Sequence, residues 1–218
     1  MDAVKYSGHE LGKRGRRERI VSATAKLLRE VELEAVSVNL IAEHAGVSPA
    51  TVYNLFGNKS SVLKGVFDED IAHFSALFAA RQSHDALDAF FSAIDIATAL
   101  YEEAPGLYKA MMYISGRHGD LYAEISKPRI EFWCRRVAAA MREGLLRPDT
   151  DIDRTGATLS FLTRGGLSHW AEGMISTTEL RSRLRFGFSL ILAAVAQPQA
   201  AARLEALRHG ESGGTALD

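Results

Sequence analysis

Residues 37–63 of the chain read SVNLIAEHAGVSPATVYNLFGNKSSVL, and this stretch decides the fold of the N-terminal part. Ser37 is a good N-cap for a short helix. Gly46 ends that helix, because glycine adopts the left-handed conformation at little cost. Ser48 and Pro49 then begin a second short helix, with serine as the N-cap and proline at the first helical position. Two short helices separated by a tight glycine turn are typical of a helix–turn–helix unit.

A longer helix precedes this pair and completes a three-helix unit. It is expected from about Arg17 to Val31, since apolar residues recur there at helical spacing. The two short helices share a small apolar seam of Ile41, Ala42, Ala45, Val47, Val52 and Leu55. The second short helix is expected to end near Gly57, and Asn58 can cap the long helix that follows.

The other residues of the second short helix are predicted to face outward, and none of them is acidic: Ser48, Ala50, Thr51, Tyr53 and Asn54. Acidic side chains at these positions would repel phosphates. A helix of this size fits the DNA major groove, which is about 12 Å wide. Lys59 begins the next helix, where its amine and the helix N-terminus can both meet a phosphate. The pattern therefore predicts a surface that contacts double-stranded DNA.

Charge is distributed unevenly along the chain. The 218 residues carry a net charge of -1. Residues 1–66 contain ten Lys or Arg and seven Asp or Glu, which leaves a surplus of basic residues in the predicted DNA-contacting part. Residues 1–15 are polar and glycine-containing, and we expect a flexible basic arm there that runs into the cluster KRGRRER at 13–19.

The stretch 37–63 closely resembles the DNA-binding motif of the tetracycline-repressor (TetR) family. The matching residues are Ile41-Ala42, Ala45 to Ser48, Ala50, Thr51, Val52, Tyr53, Phe56 and Lys59. Position 50 is Ala where glycine is common, which is harmless inside a helix. Position 54 is Asn where histidine is common, which is expected to change base preference without abolishing binding.

The resemblance implies roles for individual residues. Tyr53 and Lys59 would contact phosphates, and Thr51 and Asn54 would approach base edges or phosphates. Arg14, Arg16 and Arg17 could reach the minor groove or the adjoining backbone. The full predicted DNA-contacting set is Arg14, Arg16, Arg17, Ser37, Ser48, Ala50, Thr51, Tyr53, Asn54 and Lys59. Each has a structural alternative, such as covering the edge of the core for Tyr53 or a solvated surface position for Asn54.

The whole chain is predicted to be all-α, with an N-terminal helix–turn–helix domain and a C-terminal helical bundle for dimerisation and ligand binding. The expected boundaries are 1–15 for the arm, 16–66 for the DNA-binding domain, 67–207 for the second domain and 208–218 for a disordered tail. Further helices are expected at about 85–102, 107–115, 121–143, 153–172 and 177–196, with a loop at GRHGD, 116–120. The resemblance implies that the last two of these pair with their mates in a homodimer.

A small-molecule site in the second domain is predicted from its aromatic and methionine residues, which line adaptable apolar sites. The predicted set is Phe78, Tyr108, Met111, Met112, Phe132, Trp133, Phe161, Arg164, His169 and Trp170. Arg164 and His169 are the polar groups expected to orient an apolar or amphipathic effector, and a salt bridge in the dimer is the alternative for Arg164. Ordinary core packing is the alternative for the others. Gly165-Gly166 in a helix interior indicates either a close helix crossing or room for a ligand.

Other classes of function are set aside. No nucleophile elbow, P-loop or dinucleotide fingerprint is present, so an enzyme is not expected, and neither a cofactor nor a metal site is predicted. Cys134 is the single cysteine and is expected to be a packing residue. The longest apolar run is too short to span a membrane, and a cytoplasmic location is expected.

The sequence thus predicts a ligand-responsive regulator of transcription, released as a repressor from a pseudo-palindromic operator by a small apolar molecule. Two alternatives stay open. One is a constitutive DNA binder without an effector. The other is a small-molecule-binding protein with weakened DNA binding.

Overall fold

A computed structural model of the chain describes residues 8–31, 33–117 and 119–210, with the side chains of 10–31, 33–113 and 127–208. This part is all-α, as predicted. Its α-helices are α1 Gly8–Glu30, α2 Val38–Ala45, α3 Pro49–Phe56, α4 Lys59–Ala80, α5 Ala86–Glu103, α6 Pro105–Arg117, α7 Gly119–Arg142, α8 Ile152–Ala171, α9 Thr177–Ala193 and α10 Pro198–Gly210. A single 3-10 turn, Leu33–Ala35, precedes α2.

The predicted caps of α2 and α3 are confirmed. The hydroxyl of Ser37 accepts a hydrogen bond from the amide of Leu40 at 3.1 Å, and Ser48 does the same for Thr51 at 3.2 Å. Gly46 ends α2 with φ 62°, which a side chain would strain. Asn58 caps α4, because its Oδ1 accepts from the amide of Ser61 at 2.8 Å.

The ends of the chain are more helical than predicted. Residues 8–15, expected to belong to a flexible arm, form the first two turns of α1. An Arg14–Glu18 pair at 2.9 Å, spaced by one turn, supports these turns despite their glycines. Helix α10 is not in the prediction either, and it includes 208–210 of the expected tail. The remaining arm and tail residues, 1–7 and 211–218, lie outside the described residues.

Two internal boundaries also differ from the prediction. Instead of a loop at 116–120, α6 continues to Arg117 and α7 begins at Gly119, with His118 outside the described residues. Pro128 lies inside α7. Helix α8 is capped by Asp151, whose carboxylate accepts from the amide of Arg154 at 3.0 Å, and Asp153 lies in its first turn.

The chain divides into two compact units: unit 1 comprises residues 1–73 and 104–114, and unit 2 comprises residues 74–103 and 115–218. Unit 1 therefore extends beyond the predicted domain at 16–66. Within it, Gly106 of α6 lies directly on the last turn of α1: a Cβ added there would come 2.9 Å from the carbonyl oxygen of Leu28. Only glycine allows the two backbones to come this close.

Unit 2 is built around α5, α7, α8 and α9. Its core is aromatic in the middle, where the indole of Trp133 packs against the rings of Phe90 and Phe188 at centroid distances of 6.0 and 4.8 Å. Gly166 of α8 allows a close crossing with α9, since a Cβ there would come 2.8 Å from Leu180. This supports the helix-crossing interpretation at Gly166, whereas Gly165 faces open space.

The segments that follow α7 and α9 are joined by main-chain hydrogen bonds. The amide of Arg147 donates to the carbonyl of Val195 at 2.9 Å, and that of Gln197 donates to Leu145 at 2.9 Å. They flank an antiparallel bridge between Leu146 and Ala196. We call this pair of segments the α7–α9 clasp.

The described part of the chain offers neither a membrane-spanning helix nor a metal site. No helix there is long and apolar enough to cross a membrane. No group of three or more His, Cys, Asp or Glu side chains there could hold a metal ion.

Candidate nucleic-acid interface

Helix α3 presents one apolar and one polar face. Val52 and Phe56 point inward and are only 1% and 8% exposed. Ala50 and Asn54 are exposed on the opposite side, and the Tyr53 side chain is 53% exposed. The structure thus brings the predicted reading residues of α3 to one outward surface, which we call the α3 face.

The hydroxyls of Ser48 and Thr51 on the α3 face are hydrogen-bonded to each other. Besides capping the Thr51 amide, the Ser48 hydroxyl lies 2.9 Å from the Thr51 hydroxyl. Ser37 uses its oxygen to cap α2. These groups thus have a structural role in the helix–turn–helix unit, and a DNA contact by any of them remains a prediction.

Arg17 ties the N-terminal half of α1 to the end of α3. Its guanidinium donates to the carbonyl oxygen of Leu55 and stacks over the ring of Phe56, 4.1 Å from the ring centroid. Arg17 is therefore engaged within unit 1, whereas the prediction assigned it to DNA. Arg14 pairs with Glu18, and Arg16 is half-buried along the same helix.

Lys59 begins α4, as predicted, and its ammonium donates to the carbonyl oxygen of Leu33 at 3.2 Å. Partial burial lowers the pKa of this ammonium, and the nearby carboxylate of Glu34 acts in the opposite direction. An ammonium carries three donors, so the contact with Leu33 leaves two that can reach a phosphate.

The residues predicted to bind a ligand are distributed over both units. Tyr108, Met111 and Met112 lie on α6 in unit 1, and the Tyr108 hydroxyl donates to the carboxylate of Asp70 at 2.5 Å. The other seven lie in unit 2.

In unit 2, three of the predicted ligand residues are either exposed or packed in the core. Phe161 is 79% exposed on α8, so it does not line an interior pocket, and His169 is exposed as well. The indole of Trp170 is buried against Tyr101 at 5.6 Å, and its N–H donates to Thr177 at 3.0 Å, as expected of a core residue.

Three phenylalanines form a compact group within unit 2. Phe74 and Phe78 of α4 each contact Phe132 of α7 edge to face, with ring centroids 5.4 and 5.2 Å apart. All three are half-buried. We call this group the phenylalanine cluster. It contains two of the predicted ligand residues and adds Phe74.

The α3 face and its supporting helices are matched by a known family. Residues 20–66 match the family model described as bacterial regulatory proteins, tetR family. Residues 20–66 are therefore a TetR-type DNA-binding segment. The TetR family is one of DNA-binding transcriptional regulators and not of enzymes.

Proteins similar to this chain include a transcriptional repressor. The HTH-type transcriptional repressor KstR2 of Rhodococcus jostii is 25% identical over 158 residues, which cover 65% of this chain and 73% of that protein. Two solved structures share the fold at 22% identity. A TetR regulator from Rhodococcus sp. RHA1 has a TM-score of 0.68 and covers 83% of this chain and 97% of its own. Thermus thermophilus FadR, in complex with lauroyl-CoA, has a TM-score of 0.66, with coverage of 81% and 93%.

Two structural features of the chain were not predicted from its sequence. The Arg17–Leu55 tie joins residues 38 positions apart, so no local pattern indicates it. Arg136 of α7, absent from the predicted ligand residues, lies over the rings of Phe78 and Phe132 at 5.2 and 5.5 Å. The signal available was its spacing of one helical turn from Phe132.

Proposed function

We propose that the protein is a homodimeric transcriptional repressor that binds a pseudo-palindromic operator and is released from it by a small molecule with a large apolar part. The observation that carries the proposal is the α3 face. It is a capped, outward-facing helix surface with an exposed amide and phenol and without a carboxylate. Such a surface can enter the major groove without repelling phosphates.

A second copy of the chain is the proposed partner of α8 and α9. Large apolar side chains are exposed on both helices: Phe161 is 79% exposed, Phe186 47% and Leu190 41%. Phe161 and Gly165 are one turn apart on α8, as are Phe186 and Leu190 on α9, so each pair shares a side of its helix. Exposed apolar patches mark interaction surfaces, and Gly165 leaves space for close approach. We call these four residues the α8–α9 face.

The proposal of a small-molecule effector is supported by the phenylalanine cluster and by the structural relatives. The rings of the cluster are half-buried and offer an apolar surface. One neighbour of the same fold, the FadR of T. thermophilus, is described in complex with lauroyl-CoA. An effector that favours one conformer of the dimer would change the spacing of the two α3 faces and so weaken operator binding.

The test is selection of bound duplexes from a random-sequence library by the purified protein at near-physiological salt. A homodimer should recover a pseudo-palindrome whose half-sites are separated by one or more helical turns of about 34–36 Å. Recovery of a single unrepeated half-site would contradict the dimer, and no enrichment at all would contradict sequence-specific binding.

A further inference from the structure

The guanidinium of Arg136 in α7 lies over two aromatic rings. Its guanidinium carbon lies 5.2 Å from the centroid of Phe78 and 5.5 Å from that of Phe132, so it covers the phenylalanine cluster. The Nε atom is buried and has no hydrogen-bond partner among the described residues. In the same part of the chain, no carboxylate lies within ion-pair distance of this guanidinium.

The electrostatic surroundings of Arg136 are unfavourable to its charge. Burial lowers the pKa of the guanidinium, and the positive charges of Arg135 and Arg142 act in the same direction. A guanidinium nevertheless remains protonated in proteins, so it cannot escape this cost by losing its proton. Arg136 is half-buried, so its charge loses part of its hydration without gaining a counter-charge, and an anion that binds beside it offsets this cost.

A second unsatisfied donor lies on the same helix. The indole N–H of Trp133 is buried and lacks a hydrogen-bond partner among the described residues. Trp133 and Arg136 are three positions apart, which places them on neighbouring turns of one side of α7. Most buried donors in proteins are satisfied, so two unsatisfied ones beside an apolar cluster indicate a missing acceptor.

We infer that the effector of this protein is an amphipathic anion, whose carboxylate or similar oxyanion pairs with Arg136 and whose apolar body packs on the phenylalanine cluster. This inference rests on the proposed function in one respect: the bound anion is an effector only if the protein is a ligand-responsive regulator. Planar guanidinium groups bind carboxylates through two parallel hydrogen bonds, which explains why an arginine suits this position. Arg164 and His169, the polar groups predicted from the sequence, would then not be the anchors.

The test compares three probes with the same ten-carbon chain, decanoate, decanol and decylammonium, titrated into the full chain and followed by calorimetry. Decanoate should bind about tenfold or more tightly than decanol, as expected for a charge-assisted hydrogen bond, and decylammonium should bind most weakly. In Arg136→Met, decanoate and decanol should bind equally, with the affinity for decanol retained. Arg136→Lys keeps the charge and should keep a preference for the anion.

Arg154→Met is the matched control, because Arg154 is exposed on α8 in the same unit and its charge is not among those that act on Arg136. It should bind all three probes as the wild type does. Equal binding of decanoate and decanol by the wild type, a preference that survives in Arg136→Met, or no binding of decanoate at millimolar concentration would overturn the inference.

Operator binding, measured on the same preparations, separates this inference from the proposed function. If the operator is bound and a neutral apolar compound releases it while decanoate is not preferred, the inference fails and the proposed function stands. If no DNA sequence is selected but the decanoate preference depends on Arg136, the proposed function fails and the anion site stands.

Discussion

Asn54 and Tyr53 are exposed polar residues of the α3 face, and they can contact different parts of DNA. A carboxamide can pair with the donor and acceptor of one adenine edge, whereas a phenol donates one hydrogen bond to a phosphate oxygen. Two adjacent residues of one short helix can therefore have different roles, one in base recognition and the other in the overall affinity for DNA.

Asn54→Ala should relax base preference at one position in each half-site. A bidentate pair accounts for about 1–3 kcal/mol of discrimination, so the preferred base should lose most of its advantage there. Competition between operator variants with single changes measures this. Asn39→Ala, an exposed asparagine on α2, is the control and should leave the preferences unchanged. An unchanged profile in Asn54→Ala would show that Asn54 does not contact a base.

Asp70 in unit 1 is expected to make stability depend on pH. Burial raises the pKa of its carboxyl, and the hydrogen bond from Tyr108 and the charges of His73 and Arg29 only partly oppose this. The folded state then binds the proton more tightly than the unfolded chain. Stability from this group is therefore highest at low pH and is lost as the pH rises through the raised pKa.

Asp70→Asn removes this dependence, because the amide oxygen can still accept from Tyr108 and has no charge. Relative to the wild type, the variant should gain stability as the pH rises from the ordinary carboxyl range through the raised pKa, and the difference should then level off. Urea unfolding of both proteins at a series of pH values measures it. A difference that is independent of pH would contradict the prediction.

At the scale of the elements, the packing of α6 against α1 depends on Gly106, a residue without a side chain. Gly106→Ala would bring a Cβ to 2.9 Å from a backbone oxygen of α1, so either helix must shift. We expect a loss of about 1–3 kcal/mol in the free energy of unfolding, as for other overpacked sites. Gly15→Ala in α1 meets nothing within 4 Å and should instead gain up to about 1 kcal/mol from helix propensity. Equal effects in the two variants would argue against close contact.

Elements were predictable where their ends depend on neighbours in sequence. Ser37, Gly46, Ser48 and Asn58 act within four residues, and the structure places each as expected. Helix α10 was not predicted, although it begins at Pro198 and proline is well suited to the first turn of a helix. The helical turns at 8–15 were missed because three glycines suggest a flexible arm.

The candidate sites were less predictable, because burial depends on which helices meet. Trp170 and Phe161 are both aromatic and lie on α8, yet one is 4% exposed and the other 79%. Composition does not separate them. The α3 face was easier to predict, since a short helix between two caps has only one side available for the core.

At the scale of the whole molecule, the α8–α9 face should determine the oligomeric state. Phe161→Glu places a charge where the proposed dimer buries a ring, so the variant should sediment as a monomer at concentrations where the wild type is a dimer. Met174→Glu is the control, since Met174 is 57% exposed after the end of α8. Dimers in both variants would place the interface elsewhere.

Salt dependence reports how many phosphates the dimer neutralises. With about four contacts in each half-site, the slope of log K against log salt should be about −7. Lys59→Ala should reduce its magnitude by about 1 per half-site and leave sequence preference unchanged. Arg154→Met in α8, outside the α3 face, should keep the wild-type slope. A slope that Lys59→Ala does not change would leave Lys59 with only its structural contact to Leu33.

The α7–α9 clasp limits how unit 2 can deform. Its two main-chain hydrogen bonds join the segments that directly follow α7 and α9, so these segments cannot separate without breaking them. Helix α7 is thus held at its C-terminal end and can tilt only about that end. Arg136 lies about 9 Å from the C-terminal end of α7, at a rise of about 1.5 Å per residue, and the N-terminal end of the helix is farther still. A molecule that binds beside Arg136 would tilt α7 about its clasped end, and the displacement of the helix would increase with distance from that end.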